Sequence, residues 1–508
     1  MRWVINVASN YLRFLVGMVV VFFLTPYIVS RIGVDLFGLW SLIFAVVGLF
    51  GLLDLGFATA AVKYVAELTT KQDHAGRNQV LSTLFVIYSS LGIICLLLVA
   101  TLAGTVPSLF DLTDAQGDAF TIALWLLGTA VALGFPLSLF KAILVGSGRM
   151  SLVNLVELGT TLGNAALIVV LLRAGYGLLG LAISTATTML LAGLLLIPLA
   201  YRLTPELSLS PKRFARERVR ELVNYSFFFF VANVAVLIIL RIDPVVIKAF
   251  LPLSAVAVYA VAAKVAEYTY LLNKQFSNAL MPLVSQSEGA GDSATVRRIL
   301  VDGTRFLMAI ALPFIALLFF YSEDIIRLWM GEEFARSAPL LRILLVAVLF
   351  TSVQLNAANV LGMTGHHRFV AFSMGGSAIV NLVLSVLLVR YWGLTGVAVA
   401  TLAAAFFVET LIIVPAACAR NGMSLGRFVS GGLLPAVPAI LPALGVAYSL
   451  DQLWTADSFP RILAQGAAGA LVYFAIFYWT GSTPEERRLL KIKMRRLRQP
   501  RAADPAAE

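Results

Sequence analysis

The chain has 508 residues, of which 60% are apolar and 13% charged, and its mean hydropathy is +0.91. A soluble domain carries about 45–50% apolar and about 25% charged residues, so this composition excludes a disordered chain and sets aside an ordinary soluble enzyme. A net charge of +11 would suggest nucleic acid for a soluble protein, whereas in a membrane protein it reflects Lys and Arg gathered on cytoplasmic loops.

A spanning helix needs about 20 apolar residues, and with connections of roughly a dozen residues the chain has room for about fourteen. Apolar segments centre in order near Gly17, Leu52, Gly92, Gly134, Leu162, Met189, Val236, Glu267, Ile310, Phe350, Ile379, Phe406, Ile440 and Leu471. The first, entered through Met1, Arg2 and Trp3, is too long for a cleavable signal and reads as a retained helix. Within it Asn6, Asn10, Arg13 and Gly17 recur on one helical face. That stripe either lines a cavity or lets Arg13 reach back to the interface. A buried charge costs about 2.5–3.5 kcal/mol on insertion scales, which makes such residues the informative ones.

The second segment carries Asp54, and the fifth carries Asn154, Glu157, Thr161 and Asn164 on one face. Asp54 and Glu157 read equally as proton- or cation-responsive carboxylates and as interhelical hydrogen-bond partners. Between the sixth and seventh segments, Arg202 to Glu221 is the longest basic connection. Ser210-Pro211 is a helix-start pattern, so either a short interfacial helix or a plain cytoplasmic loop is expected. The seventh segment places Arg241 and Asp243 beside Pro244; the proline predicts a kink, and the two charges point to different neighbours. In the eighth, Lys264 and Glu267 are spaced to pair. Lys274, on the same face, has no helical carboxylate partner, and is read as lumen-facing or interfacial.

With both termini placed on the cytoplasmic side, 23 of the 38 Lys and Arg fall on inside segments and 7 on outside ones, which orients the chain by the positive-inside rule. An internal repeat supports two similarly oriented halves. Gly148, Asn164 and Arg173 have partners Gly365, Asn381 and Arg390, all three at one constant offset along the chain. Gly177 to Gly180 matches Gly393 to Gly396 after one gap, and Ile28 to Trp40 lies over Ile247 to Tyr259. The expectation is an all-α polytopic membrane protein of about fourteen helices, with two six-helix lobes related by a pseudo-two-fold along the membrane normal. The lobes cover 1–206 and 207–419, the latter opening on an interfacial linker at 207–221. Two more helices occupy 420–483, and 484–508 is a basic cytoplasmic tail that can lie on anionic lipid. Cys95 and Cys418 lie in apolar runs, the three His lack metal-ligand spacing, and no Walker A motif is present, so no metal, cofactor or catalytic residue is expected.

Charges inside the segments are mainly cationic, which suits an anionic cargo; a pore for metal cations or a carrier of cationic drugs would favour carboxylates. The residues Gly51, Asp54, Gly56, Phe57, Lys63-Tyr64, Leu240-Arg241, Asp243, Tyr259 and Lys264, with the Gly146–Gly148 and Gly362–Gly365 turns, resemble those of the polysaccharide biosynthesis (Wzx-type) flippases. These belong to the multidrug/oligosaccharidyl-lipid/polysaccharide exporter superfamily. The resemblance implies alternating access in a bacterial inner membrane, moving an undecaprenyl-diphosphate-linked oligosaccharide to the outer leaflet for O-antigen, exopolysaccharide or capsule synthesis. It implies a cationic cavity to which Asn10, Arg13, Arg241, Lys264 and Lys274 contribute, with Asp54, Glu157, Asp243 and Glu267 as coupling or structural carboxylates. Energy coupling stays open between a proton or sodium gradient sensed by Asp54, Glu157 or Glu267 and the membrane potential alone, and a polymerase and a chain-length protein of the same pathway are candidate partners. A lipid II flippase and a multidrug/cation antiporter are the rival readings.

Overall fold

The computed structural model describes residues 2–484 and 486–488. The basic tail expected at 484–508 therefore lies almost wholly outside the described residues. Those described fold into α-helices with short 3-10 and π turns and no strand. Among the described residues eleven helical stretches are long and apolar enough to cross a membrane, which makes the chain a multi-pass membrane protein. One stretch, Ser337–Arg420, is 84 residues long and is interrupted by left-handed glycines, Gly365 at φ 82° and Gly393 at φ 56°.

Two compact units form, and neither follows the chain continuously. The first comprises Met1–Tyr268 and His367–Ala404. It holds α1 (Arg2–Ile32), α2 (Val34–Leu49), α3 (Phe57–Thr70), α4 (His74–Leu109), α5 (Asp114–Gly146), α6 (Met150–Arg173), α7 (Gly177–Leu203), α8 (Arg216–Arg241) and α9 (Asp243–Phe250). It also takes α10 (Leu253–Gly289) as far as Tyr268, and α14 (His367–Ala403). The second unit, Thr269–His366 and Ala405–Glu508, contains the rest of α10, with α11 (Ser293–Phe320), α12 (Ser322–Met330) and α13 (Ser337–Leu361). It is completed by α15 (Val414–Arg420), α16 (Leu425–Phe428), α17 (Ile440–Leu453) and α18 (Phe459–Thr480).

Helix faces follow the medium around them. On α1 the residues Ile5, Leu12, Leu15, Val19 and Phe23 are exposed; they recur at helical spacing as an apolar stripe opposite the polar one, suited to lipid. Inside the first unit the sequence repeat becomes geometry. Ser184 donates to Asn164 Oδ1 at 2.6 Å, and Asn381 donates to Thr401 Oγ1 at 3.1 Å. Both pairs have the same separation in sequence, but past the one-residue gap Thr401 aligns with Thr185, the neighbour of Ser184. The matched glycines agree too: Gly148 and Gly365 have φ of 72° and 82°, and Gly177 and Gly393 have 52° and 56°.

One close helix crossing brings repeat-equivalent positions near each other. A β-carbon on Gly38 of α2 would lie 2.0 Å from the Leu253 carbonyl oxygen and 3.4 Å from the Ala257 nitrogen of α10. Gly38 and Ala257 correspond in the overlay of Ile28–Trp40 on Ile247–Tyr259. Contact between equivalents is what a local two-fold axis produces, and only a small residue permits so close an approach of backbones.

The connection before α8 differs from a full interfacial helix. Only one 3-10 turn forms, Pro211–Arg213, with Ser210 accepting from the Lys212 amide as the spacing predicts. The reason is competition for hydrogen bonds. Buried Asn78, Ser82 and Thr83 of α4 instead hold the linker backbone in an open conformation. Asn78 donates to the Glu206 carbonyl and accepts from the Ser208 amide; Ser82 accepts from the Ser210 amide and Thr83 from the Ala215 amide. Arg213 does not reach Glu217 but donates to the Ser208 carbonyl.

Candidate functional site

Two charged groups of the same design lie in the first unit. In one, Glu157 on α6 serves two cations from different helices: Arg13 on α1 donates to Oε2 at 2.6 Å, and Lys141 on α5 donates to Oε1 at 2.5 Å. Arg13 also donates to Asn10 Oδ1 at 3.2 Å. The rest of the α1 polar stripe faces α6 as well. Asn6 accepts from the Ser151 amide and Asn154 donates to Ser9, so the stripe is the seam between α1 and α6. Arg13 and Lys141 keep 36% and 50% of their side-chain surface exposed, Glu157 only 20%. The cations thus remain open to a further anion while their carboxylate is covered.

In the other group Glu267 on α10 takes the same central role. Lys264, one turn earlier, lies 2.9 Å from Oε2, and Arg241 at the end of α8 lies 3.5 Å from Oε1. Again the cations are about a third exposed and the carboxylate is 19% exposed. Arg241 reaches Glu267 by passing over Gly48 of α2, whose missing β-carbon would lie 3.1 Å from the Arg241 Cδ. The ring of Phe14, next to Arg13, meets the ring of Tyr268, next to Glu267, at 6.2 Å. Each group carries one more positive than negative charge.

The remaining carboxylates have other surroundings. Asp54 ends a 3-10 turn, Phe50–Asp54, where Leu55 and Gly56 are left-handed and the second span breaks. It accepts from the fully buried Tyr88 hydroxyl at 2.7 Å and from the Ala58 amide at 3.5 Å, which bridges the break. Asp243 opens α9 just past the break before Pro244 and, buried, accepts from the Tyr259 hydroxyl at 2.5 Å. Arg241 and Asp243 do take different partners, as residues two apart on a helix, pointing to nearly opposite sides, should. Lys274 belongs to the second unit, where its ammonium sits 5.6 Å from the Tyr270 ring centroid and makes no salt bridge among the described residues.

Sequence reasoning selects Arg13, Asn10, Glu157, Arg241, Lys264 and Glu267, which the fold gathers into these two groups. It does not pair Lys141 with Glu157, since their distance in sequence has no local periodicity, nor Tyr88 with Asp54 or Tyr259 with Asp243, since those partners lie on other elements. Among the described residues no group of three or more His, Cys, Asp or Glu is placed to hold a metal ion.

Solved structures share this helical multi-pass fold. The lipid II flippase MurJ in an inward closed conformation superposes with a TM-score of 0.74 at 15% identity, covering 96% of this chain and all of that one. An inward-facing multidrug resistance MATE family transporter of the MOP superfamily gives 0.66 at 15% identity over 83% and 95%. The polysaccharide biosynthesis protein family matches residues 2–288, and the chain belongs to it; the MatE family also matches, over 229–387. Among relatives, a putative O-antigen transporter of Shigella flexneri is 20% identical over 73% of this chain and 88% of its own length. A probable low-salt glycan biosynthesis flippase of Haloferax volcanii is 27% identical over 44% and 47%. An uncharacterized membrane protein of Bacillus subtilis is 22% identical over 98% and 99%.

Proposed function

We propose that the chain is a flippase that moves an undecaprenyl-diphosphate-linked oligosaccharide from the cytoplasmic to the outer leaflet by alternating access, for surface polysaccharide synthesis. The observation that carries this reading is the pair of cation–carboxylate–cation groups, Arg13/Glu157/Lys141 and Arg241/Glu267/Lys264. Unaided, a diphosphate crossing a bilayer bears the full cost of taking its charges out of water, while a polyprenyl chain stays in lipid. Two half-exposed cations around one covered carboxylate suit exchange: the arriving diphosphate takes hydrogen bonds from the cations, and the carboxylate gives up part of its share. Because Glu157 ties three helices together and Glu267 ties two, the exchange changes what holds those helices, which is a physical route from binding to a change of access. Lys274, in the second unit, is a separate candidate cation.

The names of the Shigella and Haloferax relatives, an O-antigen transporter and a glycan biosynthesis flippase, support a lipid-linked glycan as cargo. The excess of cations over carboxylates favours it over a cationic drug. The topology proposed is fourteen crossings with both termini cytoplasmic, in a bacterial inner membrane. No catalytic step and no bound cofactor is part of the proposal; a proton gradient, a sodium gradient or the membrane potential drives the cycle, and a polymerase with its chain-length partner receives the product.

The test is reconstitution of the full chain in liposomes with fluorescent undecaprenyl-diphosphate oligosaccharide, lipid II or a cationic dye as alternative cargoes. Transfer of the oligosaccharide ahead of the other two, weakened by Arg13→Ala and Lys274→Ala, is the expected result. Equal transfer by both variants would remove the cationic groups from the mechanism, and preference for lipid II or the dye would replace the proposed cargo. Repeating the assay with imposed proton and sodium gradients identifies the driving force.

A further inference from the structure

At the end of the second unit where α11 begins, a recess of about 350 Å³ is lined by Arg297, Arg298, Val301, Asp302, Met423 and Arg427. Local structure explains why three arginines converge there. Asp292 caps α11 by accepting from the Thr295 amide at 3.0 Å, which puts Arg297 and Arg298 in the helix's first two turns. Ser424 caps the one-turn α16 by accepting from the Arg427 amide. The π turn that follows, Val429–Leu433, packs against α11 through glycines: a β-carbon on Gly431 would lie 2.8 Å from Val301 Cγ1. Arg427 is thereby held beside the α11 arginines.

None of the three arginines makes a salt bridge among the described residues. The one acid in the recess, Asp302, is engaged by Arg305 at 3.2 Å. Arg305 also binds Glu486, which completes a capping box with Thr483: the Thr483 amide donates to Glu486 at 2.7 Å and the Glu486 amide to Thr483 at 3.3 Å. The chain after α18 is therefore fastened beside the recess just before Arg487 and Arg488. Leu425, two residues before Arg427 on α16, is 45% exposed.

We propose that this recess binds the phosphate of an anionic membrane phospholipid, with its acyl chains running along the apolar helices past Leu425. Phosphate is the group that three guanidinium forks free of salt bridges in one concavity recognise. The exposed Leu425 on the same short helix as Arg427, and the position of the recess on the arginine-rich side assigned to the cytoplasm, favour a lipid over a soluble ion. This site is separate from the two groups in the first unit and needs no transport to be observed, so it stands or fails apart from the proposed cargo.

The test uses the purified full chain in micelles doped at equal mole fraction with phosphatidylglycerol, cardiolipin or phosphatidylcholine, with bound lipid counted by native mass spectrometry. Retention of the anionic lipids at least about fivefold over phosphatidylcholine is expected, and the triple variant Arg297→Gln, Arg298→Gln, Arg427→Gln loses that preference. Arg327→Gln, on α12, keeps it. Arg427→Glu, a single exposed change on a one-turn helix, also lowers the preference, which keeps the test decisive if the triple variant folds poorly. Equal retention of all three lipids, or a preference that survives in the variants, overturns the proposal. Binding of inorganic phosphate that the triple variant loses, without any preference among lipids, assigns the recess to a soluble anion and overturns it as well.

Discussion

Arg13 shows how one side chain joins packing to function. It hydrogen-bonds Glu157 and Asn10 yet stays a third exposed, so removing it affects an anion more than it affects the fold. A charge-assisted hydrogen bond contributes about 1.5–3 kcal/mol, equivalent to roughly a tenfold to hundredfold weakening of diphosphate binding. Half-exposed ion pairs contribute only about 0–1 kcal/mol to stability. Arg13→Ala is therefore expected to cut oligosaccharide transfer at least about tenfold while its melting temperature in detergent stays near that of the parent, and Arg13→Lys to retain part of the activity. Lys141→Ala behaves in the same way, because it serves the other oxygen of the same carboxylate. A large fall in melting temperature with transfer per folded molecule intact would make these residues structural braces. The polar stripe of α1 was legible in the sequence because helical spacing is local. Its partners were only half legible: Glu157 stood out as a charge in an apolar run, whereas nothing near it in sequence points to Lys141.

Elements in this protein are fixed by close approach and by polar side chains that satisfy the backbone. At the α2–α10 crossing the β-carbon of an alanine at Gly38 would fall 2.0 Å from the Leu253 carbonyl oxygen, far inside contact distance, and the atom it meets is backbone. Overpacking costs about 1–3 kcal/mol where side chains can adjust, so Gly38→Ala is expected to exceed that range and to show as loss of folded protein on size-exclusion chromatography. Gly48→Ala meets only the flexible Arg241 side chain at 3.1 Å; it folds, with Arg241 displaced. The linker before α8 makes a contrasting case. Its helix-start pattern was readable, but the competing acceptors on Asn78, Ser82 and Thr83 lie far back in the chain, on α4, where no local pattern reaches. Thr83→Val leaves the Ala215 amide without its partner, at a cost of about 1–3 kcal/mol. Hydrogen exchange through 206–215 should then accelerate, with α5 and α6 unchanged.

At the scale of the whole chain, near-symmetry of fold and asymmetry of charge come from the same repeat. Asn164 and Asn381 each bond a hydroxyl of the next helix, Ser184 and Thr401, within one aligned position of each other, so packing follows the repeat closely; Glu157 falls opposite Met374, and Lys141 opposite Ala358, so charge does not. A duplicated helix scaffold keeps its packing residues because every neighbour depends on them, while the charged residues of these groups are free to differ. This explains why the fold could be read from spacing and hydropathy but the charged groups could only be read singly. The surface charge makes a separate, testable statement about orientation. Lys and Arg gather on the segments assigned to the cytoplasm, and the connection containing Asp111, Asp114 and Asp118 has none, which the positive-inside rule translates into a linker facing inward and that turn facing outward. Both native cysteines, Cys95 and Cys418, are buried and give a low labelling background. Introduced one at a time at exposed positions, Ala115→Cys should react in intact cells with a membrane-impermeant maleimide, and Lys212→Cys only after the membrane is opened. The reverse pattern would invert the chain and put the basic recess of the second unit on the outer surface.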